Sequence, residues 1–264
     1  MSELSKVMAD AAIEGSRVVL EVYRRGADAR TKGDGSPVTE ADERGEEAIL
    51  SHLKEFAGDI PVIAEESVAG GQVPKAHERF FLVDPLDGTK EFVTGTDEFT
   101  VNIALIENGV PTMGVVTVPA LGKLFVGIAG EGATLQMIDF ETGNAQSAPD
   151  AISVRARPES GAVAMTSRSH GSEETQKMLE RLGVTDVMPA GSSLKFCAIA
   201  EGKADLYPRL GRTMEWDTAA AHAVLKAAGG EVYVFDDQER GAPLSYGKED
   251  RGFDNPHFLA VGGE

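Results

Sequence analysis

A chain of 264 residues, 42% of them hydrophobic, is long enough for one large domain or two smaller ones sharing an interface, with a substantial core. A formal charge of −18 and an isoelectric point near 4.7 argue against a nucleic-acid-binding surface and leave small anions to be held by local cations or by metal. The single cysteine, Cys197, excludes an internal disulfide and lies in an apolar stretch, as a core thiol in a reducing cytoplasm would. No run of 18 apolar residues occurs, which excludes a membrane span; peripheral attachment at the inner membrane stays open.

Leu4, Val7, Met8, Ala11, Val18, Val19 and Val22 share one helical face among interspersed charges. They predict a first helix ending near Gly26, without the uncharged core of a signal peptide. Residues 31–38 have the glycine and proline content of a loop. Thr39 then reads as the N-cap of a second helix with Ala41, Ala48, Ile49, Leu53 and Phe56 on its apolar face, and Asp42 in its first turn complements the helix dipole.

Two short apolar strands follow, and both end in acid: residues 60–64 run into Glu65-Glu66, and residues 80–83 run into Asp84-Pro85-Leu86-Asp87-Gly88-Thr89. Alone, the second stretch is also an ordinary surface turn. A buried strand that carries acid at its carboxyl end suits a ligand site, and two such tips gather like charges that are tolerable mainly when cations fill the cluster. The oxygen ligands crowded into residues 84–89 suit Mg²⁺.

Residues 99–106, 113–118 and 124–128 read as consecutive strands parted by Glu107-Asn108-Gly109 and Pro119-Ala120-Leu121-Gly122, hence an antiparallel region with helices against one face. Polar residues 141–150 mark the best boundary. They divide the chain into an N-terminal α+β half, 1–150, and a C-terminal α/β half, 151–264, in which strands 162–165, 204–207 and 231–235 alternate with helices 173–182, 193–200 and 216–228.

Three polar stretches of the second half could meet the first-half acids. Asp217 opens a helix, either as a dipole-complementing acid or as a fourth carboxylate of the cluster. Gly191-Ser192-Ser193-Leu194-Lys195 also opens a helix, where free N–H groups, hydroxyls and a lysine hold a phosphate or merely cap. Ser167-Arg168-Ser169-His170 grips an anion or a base, or is a solvated loop.

Together, Glu65-Glu66, residues 84–89 and Trp216-Asp217 resemble the signature stretches of the lithium-sensitive, Mg²⁺-dependent phosphatase superfamily that includes inositol monophosphatase and fructose-1,6-bisphosphatase, in order and over nearly the whole chain. Lys90-Glu91-Phe92, residues 192–197 and Tyr207-Pro208-Arg209 resemble, within it, the bacterial 3′(2′),5′-bisphosphate nucleotidases. The resemblance implies a layered α/β/α/β/α sandwich with its site between the halves, and two or three Mg²⁺ per site. Glu65, Asp84 and the Leu86 carbonyl would hold one ion, and Asp84, Asp87 and Asp217 a second.

By the same resemblance Asp42 orients the Thr89 hydroxyl, which with Glu65 positions the attacking water. Glu65, Leu86, Asp87, Gly88, Thr89 and Asp217 also meet the substrate phosphate, and His170, Ser192, Lys195 and Arg209 contact the nucleotide. The implied reaction converts adenosine 3′,5′-bisphosphate to AMP and phosphate, a step linked to sulfur metabolism. The rival readings are an inositol or sugar phosphatase of the same superfamily and, from another class, a silent metal- or nucleotide-binding module.

Overall fold

The acid-tipped strands are neighbours in one sheet. In the computed structural model, which describes residues 2–26, 28–33, 35, 37–168, 173–236 and 239–263, the chain begins with α1 (Glu3–Arg25), a ribbon of β1 (Arg30–Thr31) and β2 (Pro37–Val38), and α2 (Glu40–Ala57). Then come β3 (Val62–Ala64), α3 (Glu65–Ala69), β4 (Arg79–Asp87), α4 (Thr89–Thr94), β5 (Thr100–Glu107), β6 (Val110–Val118), β7 (Lys123–Ile128), β8 (Gly132–Asp139), β9 (Asn144–Ala145) and β10 (Asp150–Ile152). The sheet order is β10-β8-β7-β6-β5-β4-β3, with β9 on β8. Its pairings are antiparallel except β3 with β4. Asn108 and Gly109 both take positive φ, 52° and 76°, as the tight β5–β6 hairpin requires.

The second half supplies β11 (Ala162–Ser167), α5 (Glu173–Arg181), β12 (Val184–Ala190), α6 (Leu194–Ala200), β13 (Leu206–Arg209), α7 (Glu215–Ala227), β14 (Glu231–Asp236), β15 (Glu239–Pro243) and β16 (Phe258–Val261). These strands form a mixed sheet in the order β12-β11-β13-β16-β14-β15.

Strand alternation sets the layering. On β4, Phe81 and Val83 pack with Met8, Val19, Ile49 and Leu53 of α1 and α2, whereas Phe80 and Leu82 join α6 and α7 on the opposite face. A third cluster seats Met178 and Leu179 of α5 on the outer face of the second sheet. The result is the α/β/α/β/α sandwich implied by the resemblance. Helices therefore cover both faces of the first sheet, not one, because its central strands are apolar on both sides. Phe56 is 56% exposed, and Ala57, 6% exposed, takes the expected core place.

Helix α7 has almost no solvent face: Trp216, Ala219, Ala220, Val224 and Leu225 are all buried. Gly114 and Gly127 are partners across β6 and β7, and they form the trough it lies in. A Cβ on Gly114 would stand 2.1 Å from the Ala220 carbonyl oxygen, and one on Gly127 would stand 2.4 Å from the Val224 Cα. This seat delivers the first turn of α7, and with it Asp217, toward the ends of β3 and β4.

Candidate active site

Parallel pairing of Ala64 with Val83 places the next residues, Glu65 and Asp84, side by side. Asp84 and Asp87 are three residues apart and would face opposite sides of a regular strand. The register on β5 slips between them, Asp84 pairing with Asn102 and Asp87 with Thr100, so one extra residue turns both carboxylates to the same side. Asp84 is 1% exposed, accepts the Leu86 N–H at 2.9 Å and lies within hydrogen-bonding reach of Glu65. Asp217 reaches the same region from α7, where it also accepts the Met214 N–H at 3.0 Å.

The electrostatics follow from this crowding. Burial, then repulsion from Glu65, Asp87 and Asp217, drives Asp84 well above the usual carboxylate range. Asp217 is raised likewise by burial, Asp87 and Glu65. Burial pushes Asp87 to about 6 against the pull of Lys195 and the Ser193 N–H. Such a set favours cations, and its donors, carboxylates beside the Leu86 carbonyl, are the hard oxygens that Mg²⁺, Ca²⁺ or Mn²⁺ take. Among the described residues no three acidic, histidine or cysteine side chains already converge as a closed cage. Two proposed ligands hold other partners: Glu65 binds the Lys32 ammonium at 2.6 Å, and Asp87 accepts the Ser193 N–H at 2.5 Å.

Gly88 links the strand to α4 with φ +93°, which disfavours any other residue, and a Cβ would fit tightly, 3.2 Å from the Glu98 carbonyl oxygen and 3.3 Å from Ser192 Cβ. Thr89 follows. Its hydroxyl donates to Asp42 Oδ1 at 3.1 Å and lies 3.3 Å from the Leu86 carbonyl. Asp42 is 1% exposed, and its Oδ2 accepts both the N–H and the hydroxyl of Thr39, at 2.7 and 2.8 Å. It thus closes the capping box of α2 while holding Thr89. Burial raises its pKa, and Thr39, Lys32 and Thr89 oppose the rise by favouring the ionised form.

Next to the acids lies a cavity of about 130 Å³ lined by Asp87, Ser192, Lys195, Tyr207, Arg209 and Asp217, among others. Ser192 has φ +46°, unusual for a residue with a Cβ. Lys195, 5% exposed, donates to the carbonyls of Ser192 (2.5 Å) and Ala190 (3.3 Å) and sits 5.2 Å from the Tyr207 ring centroid. Burial lowers its pKa to about 8, with Asp87 pulling it back up. Arg209 donates to the Arg212 carbonyl, and its Nε is buried without a hydrogen-bond partner.

The structure thus brings Asp87, Gly88, Ser192, Lys195, Arg209 and Asp217 around one cleft, with Glu65 and Asp84 beside these acids and Leu86, Thr89 and Asp42 linked in turn behind them; His170 lies outside the described residues. Two of the loop N–H groups expected to be free are engaged: Gly191 donates to Glu98 and Ser193 to Asp87. Arg168 is likewise spent on Glu98, at 2.7 and 2.5 Å, rather than open to an anion.

Sequence reasoning missed Lys32, whose ammonium also holds Glu66 at 2.5 Å. Burial alone would lower its pKa, yet Glu65 and Glu66 outweigh burial and hold it above its usual range. Nothing in a Thr-Lys-Gly loop announces that contact. Also missed was Glu46, 5% exposed, which accepts the N–H groups of Glu66 and Ser67 and the Ser67 hydroxyl, fixing the backbone just after Glu65. Its i, i+4 spacing from Asp42 was a usable signal.

Acids on two strand ends and a helix start, beside a pocket that also carries Lys195 and Arg209, in a five-layer sandwich, fit one class: a metal-dependent phosphatase. Residues 1–257 match the Inositol monophosphatase family, and the chain belongs to that family. It is 43% identical over 243 residues to the 3′(2′),5′-bisphosphate nucleotidase CysQ of Shigella flexneri, covering 91% of this chain and 92% of that one. It is 44% identical over 228 residues to the CysQ of Salmonella typhimurium, 86% of each. The crystal structure of CysQ from Bacteroides thetaiotaomicron superposes with a TM-score of 0.80 at 36% identity, covering 99% of this chain and 97% of that one. No helix among the described residues is long and apolar enough to cross a membrane.

Proposed function

We propose that this chain is a 3′(2′),5′-bisphosphate nucleotidase, a hydrolase that converts adenosine 3′,5′-bisphosphate and water to AMP and inorganic phosphate. The observation that supports it is the juxtaposition of the acid cluster of Glu65, Asp84, Asp87 and Asp217 with a pocket lined by Asp87, Asp217, Lys195 and Arg209, whose two cations suit a second anion. The named relatives support the same substrate class. We assign Mg²⁺ as the metal, two or three ions per site, held by Glu65, Asp84, the Leu86 carbonyl, Asp87 and Asp217. When bound, such ions neutralise phosphoryl charge and lower the pKa of water.

The chain's own groups supply the rest. The Thr89 hydroxyl donates its hydrogen bond to Asp42 Oδ1, so its Oγ1 is left to accept a hydrogen bond from water, and the Glu65 carboxylate is the second acceptor that aims that water at phosphorus. The P–O bond to ribose breaks as the new P–O bond to the water oxygen forms, and the ribose oxygen takes the proton that the attacking water gives up. Gly88 and Thr89 present backbone to the transferred phosphoryl group. An ammonium has three donors; two of those on Lys195 brace the loop, and the third, with the Arg209 guanidinium that lines the same pocket, is assigned to the other phosphate. Ser192 lies at the mouth of this subsite. The halves 1–150 and 151–264 divide the work, the first giving most metal ligands and the second Asp217 and the nucleotide contacts. Cytoplasm is the compartment we assign.

The test is phosphate release from adenosine 3′,5′-bisphosphate, inositol 1-phosphate and fructose 1,6-bisphosphate, each with and without Mg²⁺. The bisphosphonucleoside should be the preferred substrate and should need the metal. Preference for inositol 1-phosphate would transfer the chain to the other branch of its family.

A further inference from the structure

Three polar side chains are shut inside the interface between the halves, and the chemistry just described uses none of them. Thr100 and Asn102 on β5 are 0% and 1% exposed, and Ser193, which precedes α6, is 1% exposed. They close a ring: the Ser193 hydroxyl donates to Asn102 Oδ1 at 2.7 Å, Asn102 Nδ2 donates to Thr100 Oγ1 at 3.1 Å, and Thr100 Oγ1 lies 2.9 Å from Ser193 Oγ. With the Ser193 proton committed to Asn102, the Thr100 proton points to Ser193. Each member donates once and accepts once around the ring, so every bond polarises the next.

The ring stands where the halves meet. Thr100 pairs with Asp87 and Asn102 with Asp84 across the β4–β5 ladder, and the Ser193 N–H is bonded to Asp87 Oδ2. The preceding residue is Ser192, at its positive φ, and the Lys195 ammonium holds the Ser192 and Ala190 carbonyls. An apolar β5 would fill this space at lower desolvation cost. Two polar residues in the same face of a strand buried on both sides, meeting a serine from the other half, fix one relative placement of Asp87 and the 190–195 loop.

We propose that Thr100, Asn102 and Ser193 are positioning residues, a buried ring that sets the orientation of Asp87 and the stance of Ser192 and Lys195 together, so that metal affinity and nucleotide affinity depend on the same three side chains. The inference rests on the reading of Asp87 as a metal ligand. It is tested by calorimetric titration of the full chain with Mg²⁺, and by KM for adenosine 3′,5′-bisphosphate, in Thr100→Val, Asn102→Ala, their double variant, Thr100→Ser and Asp87→Asn.

Thr100→Val and Asn102→Ala should each weaken Mg²⁺ binding about 10-fold or more, the usual effect of losing a group that orients a ligand, and each should raise KM. The double variant should be no worse than the poorer single one, since one break opens the whole ring. Thr100→Ser keeps the hydroxyl and should restore both constants. Single variants that melt at lower temperature yet keep wild-type Mg²⁺ affinity and KM would overturn the proposal, leaving the ring a structural bolt. If Asp87→Asn loses Mg²⁺ binding while the ring variants keep it, the positioning role alone is wrong. If Asp87→Asn binds Mg²⁺ normally, the ligand reading is wrong and the proposal falls with it.

Discussion

Thr89 has one hydroxyl hydrogen to donate, and it points to Asp42. Because Asp42 Oδ2 is held by the N–H and hydroxyl of Thr39, its Oδ1 cannot swing away, and Thr89 Oγ1 is fixed as an acceptor. Thr89→Ala should therefore lower kcat by ~10²-fold or more, in the range for a positioned proton acceptor, while Mg²⁺ affinity stays near wild type. A raised Mg²⁺ requirement instead would make Thr89 a ligand. For Lys195 and Arg209 the comparison is kcat/KM on adenosine 3′,5′-bisphosphate against adenosine 3′-monophosphate. Losing one charge-assisted contact costs about 1.5–3 kcal/mol, so Arg209→Ala should lose roughly 10- to 100-fold on the bisphosphate and far less on the monophosphate. Lys195→Ala should lose on both, because its ammonium also braces the loop; selective loss confined to the bisphosphate would show that the bracing is unimportant.

The elements that carry these residues were partly legible in the chain. The acid at the ends of residues 60–64 and 80–83, the Thr39 cap and the Gly26 stop are local signals, set by neighbours within a turn. The crowding of Asp84 and Asp87 into one small stretch was legible too, but the bulge against β5 that turns both to one side was not. The β12 strand escaped notice because it lies at the sheet edge with most side chains exposed, so no hydrophobic alternation marks it. Thr100 and Asn102 did leave a mark, as polar residues two apart in an otherwise apolar run, whereas Lys32 reaches Glu65 and Glu66 only through the folded path of its loop. The seat of α7 was also invisible, since a glycine in a strand does not say what lies over it. Gly114→Ala should push a Cβ into the Ala220 carbonyl and destabilise the protein by ~1–3 kcal/mol. Because the same helix aims Asp217, Mg²⁺ affinity should fall with the melting temperature; an unchanged melting temperature would mean the trough is looser than these distances state.

Across the whole molecule the net charge is −18, and a few of its acids are buried together at one place. Burial and like charge raise Asp87 to about 6 and, with Lys32 opposing, burial raises Glu66 to about 7. A carboxyl with a raised folded pKa binds its proton more tightly when folded. Its stabilisation is therefore complete below the unfolded value, near 4, and is lost as pH rises through about 6 to 7. In chelator the protein should lose stability from this source over that window, and Mg²⁺ should restore it. The gap between Mg²⁺-saturated and chelated melting temperatures should widen with pH; a gap constant from about pH 5 to 8 would contradict that origin.

The central claim is that acids from both halves form one metal site for cleaving a phosphate ester. It is tested most directly by Mg²⁺-dependent hydrolysis of adenosine 3′,5′-bisphosphate by Asp84→Asn and Asp217→Asn, with the fold checked by circular dichroism. Each variant should remain folded and lose ~10²-fold or more in turnover, the scale of removing a main electrostatic stabiliser of the transition state. Near-normal turnover in either variant would contradict the account.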